Sequence, residues 1–177
     1  VTRLDKAANV ALIAASLLLV GSLVRNYYLS RMPDPNIKPE IKKGEVIKPL
    51  EQALTAESPA TVTLVLALST HCRFCHASVP FYQKLAALKN SSASRVRLAA
   101  IMPESKEEAE DYLKKNGIAA DAVVSMPMSQ IGVNGTPTLL LLDGQNKLIE
   151  AWAGQLNSSQ ESEVIGHLRK LCPGCLI

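Results

Sequence analysis

The run TVTLVLAL (61–68) is apolar and rich in β-branched residues, and three residues beyond it stands Cys72-Arg73-Phe74-Cys75. A strand without a polar face must be covered on both sides, as in the interior of an α/β sheet. The stretch that follows, FCHASVPFYQKLAALK, has helical spacing, with Phe74, Val79, Leu85 and Leu88 as expected buried positions. Cys72 is therefore expected at the N-cap of a helix with its sulfur exposed, and Cys75 one turn further on the same face. The partial positive charge of a helix N-terminus and the adjacent Arg73 both favour thiolate over thiol, and the thiolate is the attacking species. An exposed attacker beside a protected resolver is what thiol–disulfide exchange requires. A structural disulfide and half a zinc site are the other uses of such a pair.

The rest of the chain supplies a frame for it. RVRLAAIM (95–102) reads as a second buried strand, and ESKEEAEDYLKKNG (104–117) as an amphipathic helix with acids early, lysines late and Gly117 as its stop. AVVSM is a short strand and TLLLLD (138–143) a longer one, joined through Asp143-Gly144-Gln145-Asn146 to a hairpin partner, KLIEAWAG (147–154). Ser158 or Ser159 is expected to cap a last helix ending at Leu171. Crossover units first and an antiparallel edge afterwards make an α/β fold with helices on a mixed sheet.

Two prolines sharpen the reading. Pro80 lies five residues past Cys75, where it would kink the helix. In GVNGTPT (132–138), Pro137 stands just before a strand and is a candidate cis peptide that would present the backbone of Thr136 to a substrate chain. CRFC, Pro80 and GTPT, in this order, resemble the thioredoxin superfamily. The segment from AAIMPESKEEAEDYLKKNGI to IGVNGTPTLLLLDGQNKLIEAWAGQL is similar to membrane-anchored bacterial proteins of the TlpA/ResA/CcmG type. The resemblance covers roughly residues 60–171. It implies a thioredoxin-like fold, with a cis Pro137 opposite Cys72 and Thr136 and Pro137 binding the substrate backbone. The implied enzyme is a thiol–disulfide oxidoreductase without an organic cofactor, acting on protein disulfides such as those of apocytochrome c or copper-site proteins. An inner-membrane thiol carrier would recharge it. A net oxidant or isomerase is the alternative within this class. Two positions depart from the family pattern: His71 stands where a tryptophan usually precedes the first cysteine, and Leu66 where thioredoxins keep a buried acid.

The N-terminal part carries a different signal. Residues 7–24, AANVALIAASLLLVGSLV, hold no charge, and Tyr27 and Tyr28 follow where interfacial aromatics are expected. Eighteen residues at ~1.5 Å each span ~27 Å, close to a hydrocarbon core. The expected layout is a short tail (1–6), a transmembrane anchor (7–24), a proline-containing tether (25–49), the thioredoxin-like domain (50–171) and a tail (172–177). A cleaved signal peptide is the rival, but no convincing small-x-small site follows the run. The charge balance is +4 over residues 1–49 and −1 beyond. The globular part thus lacks the basic field that nucleic-acid binding needs. Lysines and arginines after the span would, taken literally, keep the domain in the cytoplasm. The resemblance instead implies the bacterial inner membrane with the domain facing the periplasm or extracytoplasmic space.

Remaining candidates are less specific. A protonated His71 could stabilise the Cys72 thiolate, Arg73 could tune it, and His76 reads as a solvent-edge residue. Cys172 and Cys175 repeat the two-residue spacing but follow a helix instead of opening one. A local disulfide is the expected role, a second redox pair the sharper alternative, and a metal site built from both pairs a third. Four thiols and two nearby histidines also admit a Cu(I) or zinc binding module, although no metal is called for by the exchange chemistry.

Overall fold

The computed structural model describes residues 3–29, 39–54, 62–91 and 96–171. The chain divides into two compact units, Val1–Asp34 and Pro35–Ile177. Among its described residues the first holds one helix, α1 (Arg3–Leu29), whose described side chains, from residue 9 to 25, are all exposed. Among the described residues no helix is long and apolar enough to cross a membrane, so the span expected over 7–24 does not emerge at this level.

The second unit is built on five strands: β1 (Val62–Ala67), β2 (Val96–Met102), β3 (Ala122–Ser125), β4 (Thr138–Asp143) and β5 (Leu148–Ala153). Their order across the sheet is β3-β2-β1-β4-β5. The apolar run that opened the sequence is the central strand. It pairs parallel with β2, Val62 opposite Val96, and antiparallel with β4, Val62 opposite Asp143. β3 continues the parallel half and β5 forms the expected hairpin with β4. The parallel partners are joined by helices, as parallel pairing demands.

One face of the sheet is covered by four helices. These are α3 (Arg73–Ala77), α4 (Val79–Ser91), α5 (Lys106–Lys115) and α6 (Ser158–Leu171). Phe81, Tyr82 and Leu85, then Tyr112 and Leu113, then Val164 and Leu168, pack against Leu64, Leu66, Leu98, Leu141 and Trp152. The single helix expected after Cys72 is two. Ser78 closes α3, and α4 starts immediately before Pro80, which has no N–H to continue the first ladder. Leu85 is buried as expected. Val79 and Leu88 are only partly so, and Phe74 is half-exposed, the space behind the site being filled by Phe81 and Tyr82.

The opposite face is closed by residues on either side of the expected junction between tether and domain. Ile47, Leu50 and Leu54, around the short helix α2 (Lys48–Ala53), join Ile131 and Val133 over Val65, Ile101, Leu140 and Leu142. The amide of Glu40 donates to the Gly132 carbonyl, and Gly44 and Glu45 exchange backbone hydrogen bonds with Leu148. The boundary between tether and domain therefore falls before residue 40, not at 49. Pro49, read as a linker signal, occupies the first turn of α2, where a proline costs no hydrogen bond.

Smaller differences lie at helix starts. Asn157, not Ser158 or Ser159, caps α6, its side-chain oxygen accepting from the amides of Ser159 and Gln160. α5 begins at Lys106 because Ser105 and Glu108 form a reciprocal capping box. That box leaves Glu104 outside the helix, free to point elsewhere.

Candidate active site

Cys72 lies where β1 has ended and α3 begins. It is the N-cap residue, with extended backbone (φ −88°, ψ 107°), and its Sγ accepts a hydrogen bond from the Cys75 amide at 3.1 Å. The sulfur thus takes the place of the usual cap oxygen and satisfies one of the unpaired donors of the first helical turn. Cys72 is half-buried, Cys75 is 0% exposed, and both thiols are free. This is the asymmetry expected from spacing alone.

The two sulfurs differ in acidity for reasons visible in the geometry. The Cys72 thiol is lowered to about 6. The side-chain hydrogen bond from Cys75 contributes most, partial burial opposes it, and the Thr136 side chain and the Cys75 and Phe74 amides add to the lowering. The Cys75 thiol is pushed up by that same hydrogen bond and by burial. Near neutral pH the exposed sulfur is therefore largely thiolate while the inner one keeps its proton.

Across from Cys72 stands the loop before β4. The Thr136–Pro137 peptide is cis, as expected, and the Thr136 carbonyl accepts from the Cys72 thiol at 3.2 Å. Pro137 is buried and Thr136 half-exposed, so a partly exposed residue lies beside the Cys72 sulfur.

The flanking residues behave less as expected. His71 has a 90% exposed side chain, and its Nδ1 lies 2.9 Å from the Thr70 hydroxyl and 3.6 Å from Glu104. None of its described contacts reaches the Cys72 sulfur. Arg73 lays its guanidinium 4.5 Å from the Phe74 ring centre, a cation–π contact at the rim of the site. His76 is not a mere edge residue: its Nε2 lies 2.9 Å from the Thr70 carbonyl and its ring meets Tyr112 edge-on at 5.2 Å. Both histidines are thus engaged by oxygen partners, away from the cysteine sulfurs that a Cu(I) or zinc site would need. Among the described residues the one group of three metal-capable side chains is Glu150, Glu163 and His167. It contains no cysteine, and Glu150 is already paired with Lys43. Cys172 and Cys175 lie outside the described residues.

Glu104, which the acidic run 104–117 assigns to a helix, lies instead against the turn before Cys72. Its Oε1 accepts from the Ser69 hydroxyl (2.7 Å), the Thr70 amide (2.8 Å) and the Thr70 hydroxyl (3.0 Å). Its side chain is only 10% exposed, and Oε2 is buried without a hydrogen-bond partner. Burial works against its charge, but the bonds from Ser69 and Thr70 prevail and hold the carboxyl below its ordinary range. Leu66, at the position of the absent buried acid, is fully enclosed in the same core as Cys75.

No protein-family model matches the chain, and no curated protein sequence matches it. Solved structures do. A thiol-disulfide isomerase from Corynebacterium glutamicum superposes with a TM-score of 0.53 at 18% identity, over 75% of this chain and 96% of that one. A Chlorobium tepidum protein assigned as the thiol:disulfide interchange protein DsbE gives 0.51 at 19%, over 64% and 81%. A solution structure from Bacteroides thetaiotaomicron, assigned as a protein disulfide isomerase, gives 0.54 at 16%, over 63% and 73%. The central strand ending in an N-capping cysteine, the cis-proline loop facing it and these superpositions together identify the domain as one with the thioredoxin-like fold.

Proposed function

We propose that this chain is a membrane-tethered thiol–disulfide oxidoreductase that reduces disulfides of extracytoplasmic proteins. The observation that carries the reading is the split character of the pair: an accessible, acidified Cys72 against a fully buried Cys75, beside a cis-proline loop. The Cys72 thiolate attacks one sulfur of the substrate disulfide, forming a mixed disulfide and releasing the other substrate sulfur as thiolate. Cys75 then gives up its proton and attacks the Cys72 sulfur. The mixed disulfide breaks, the second substrate sulfur leaves as thiolate, and the enzyme keeps the Cys72–Cys75 disulfide. Two electrons have passed from the dithiol to the substrate, and an external dithiol, here an inner-membrane carrier, must restore them. The Thr136 backbone, held beside Cys72 by the Pro137 loop, is suited to pairing with the substrate chain during attack.

Tethering rests on the uncharged run at 7–24 and on the exposed apolar side chains of α1, Leu17, Leu18, Leu19 and Leu23 among them. The domain facing the periplasm, and apocytochrome c or metal-centre proteins as substrates, extend the same reading. Protease protection of a C-terminal tag in spheroplasts tests the orientation: a tag shielded until lysis would reverse it.

The exchange chemistry is tested with single variants. Cys72→Ser is expected to abolish reduction of a protein disulfide, and Cys75→Ser to accumulate mixed disulfides visible on non-reducing gels. Full turnover by Cys72→Ser would remove the assignment. The equilibrium potential against glutathione sets the direction of flow. A value near ~−270 mV supports a reductant, and one near ~−120 mV an oxidant.

A further inference from the structure

The turn carrying Cys72 is held from two sides by groups that take no part in sulfur exchange. From after β2, Glu104 Oε1 collects three hydrogen bonds from Ser69 and Thr70. From α3, His76 Nε2 contacts the Thr70 carbonyl, while the Cys72 amide donates to the Ser69 carbonyl at 3.2 Å. Ser69–His71 is thus a short turn whose polar groups point into a bracket, and the residue at its exit is the N-cap. N-capping needs one backbone conformation at Cys72 and one position of its sulfur relative to the Cys75 amide. Where the turn goes, the sulfur goes.

A carboxylate is an unusual choice for a latch of this kind. Only one of its oxygens is used, and the other is buried with no partner, a costly arrangement that a neutral acceptor would avoid. The site nonetheless places this charge on the turn, bonded to Thr70 two residues before Cys72. We propose that Glu104 is the positioning residue of the nucleophile: it latches the Ser69–Thr70 turn so that the Cys72 sulfur meets the helix amides, while its own charge limits how acidic that thiol becomes. The latch and the charge act in opposite directions, one favouring thiolate and the other opposing it. The proposal rests on the oxidoreductase reading only for its purpose, since the effect is on thiol reactivity itself.

The groups around Cys72 that titrate or carry charge are His71, Arg73, Cys75 and His76 in its own segment, Tyr82 on α4, Tyr112 on α5 and Glu104. Tyr82 and Tyr112 are both raised, chiefly by burial and then by the cysteines, Tyr112 to about 12, so neither ionises where Cys72 does. His71 and His76 are kept unchanged in every protein compared.

The test is the pH dependence of Cys72 alkylation by iodoacetamide in the reduced full chain, with Cys172 and Cys175 replaced by Ser in every protein compared. Glu104→Ala removes latch and charge together. Its alkylation midpoint is expected to rise by about one unit, roughly a tenfold lower thiolate fraction at a fixed pH below both midpoints. Glu104→Gln keeps an oxygen for the three donors and loses the charge, and its midpoint is expected at or below that of the parent. Ser69→Ala with Thr70→Val loosens the latch from the other side and should move the midpoint upward even if Glu104→Ala does not fold. An unchanged midpoint in Glu104→Ala, or in the Ser69/Thr70 variant, would overturn the proposal. An equal fall in Glu104→Ala and Glu104→Gln would also overturn it, because the lost charge and not the lost latch would then be in control, and an equal rise would overturn it because an oxygen in place would then not hold the turn. These readings need no substrate, so failure of the latch and failure of the proposed reductase activity remain separate results.

Discussion

The two faces of the sheet are built to different standards. The face carrying α3, α4, α5 and α6 is deep and includes Cys75, Tyr82 and Tyr112, so the Cys72–Cys75 pair is backed by the thickest packing in the domain. The other face is closed by one six-residue helix, a turn at Met128–Ile131 and a few side chains of the incoming segment. Depth on one side fixes the position of a sulfur to within hydrogen-bond tolerance. Thinness on the other leaves stability dependent on very few residues. Chemistry and marginal stability are thus placed on opposite sides of one sheet, and substitutions should separate them.

The largest separation is expected at Leu50, which is fully buried beneath the thin face. Leu50→Ala should cost about 2–5 kcal/mol by the loss of a buried side chain and the cavity left behind. Denaturant unfolding would read that cost, while the alkylation midpoint of Cys72 at native conditions stays unchanged. A shift in the midpoint would show that the faces are coupled.

A smaller break is expected at Gly132. Its φ is +61°, and an added Cβ would come within 2.7 Å of the Ile41 side chain, part of the same lid. Gly132→Ala should therefore destabilise by about 1–3 kcal/mol, through backbone strain and overpacking together. Ile41→Ala in the same background should recover part of that loss. No recovery would assign the cost to the backbone alone.

The smallest effect belongs to the thick face and shows only as a pH slope. Cys72 titrates at about 6 in the folded state against an ordinary 9.0, so between these values the unfolded chain binds the additional proton. The reduced protein should gain stability as pH rises from 6 towards 9 and lose it as pH falls through 6. Urea midpoints across that range should show the slope in the parent and in Leu50→Ala, and not in Cys72→Ser. Half-exposure of the thiol keeps the amplitude small.

The same contrast explains what could be read from the sequence. The thick face is made of long periodic elements, so TVTLVLAL, the helix after Cys75 and the TLLLLD hairpin were all legible, with Cys72 at the N-cap and Pro137 opposite. The thin face was not. Ile47, Leu50 and Leu54 are too few to establish a period, and Pro49 reads equally as a linker residue or as the first turn of a helix. Glu104 was hidden differently. It heads an acidic run whose other members face solvent, and only the capping box at Ser105 and Glu108 shows that the helix begins after it. His76 was undervalued because its partner is a backbone carbonyl, which no side-chain pattern reveals.

The exchange of hydrogen bonds between Gly44, Glu45 and Leu148 has a consequence for the company this domain keeps. An open sheet border is a template onto which another extended chain can zip. At the start of β5 that border is already taken by the protein's own incoming segment, and Val46 bridges Lys147 beside it. A visiting strand is thereby denied purchase at one rim of the sheet, while Thr136 beside Cys72 stays half-exposed. The entry segment works as a guard rail against adhesion as well as a lid on the core.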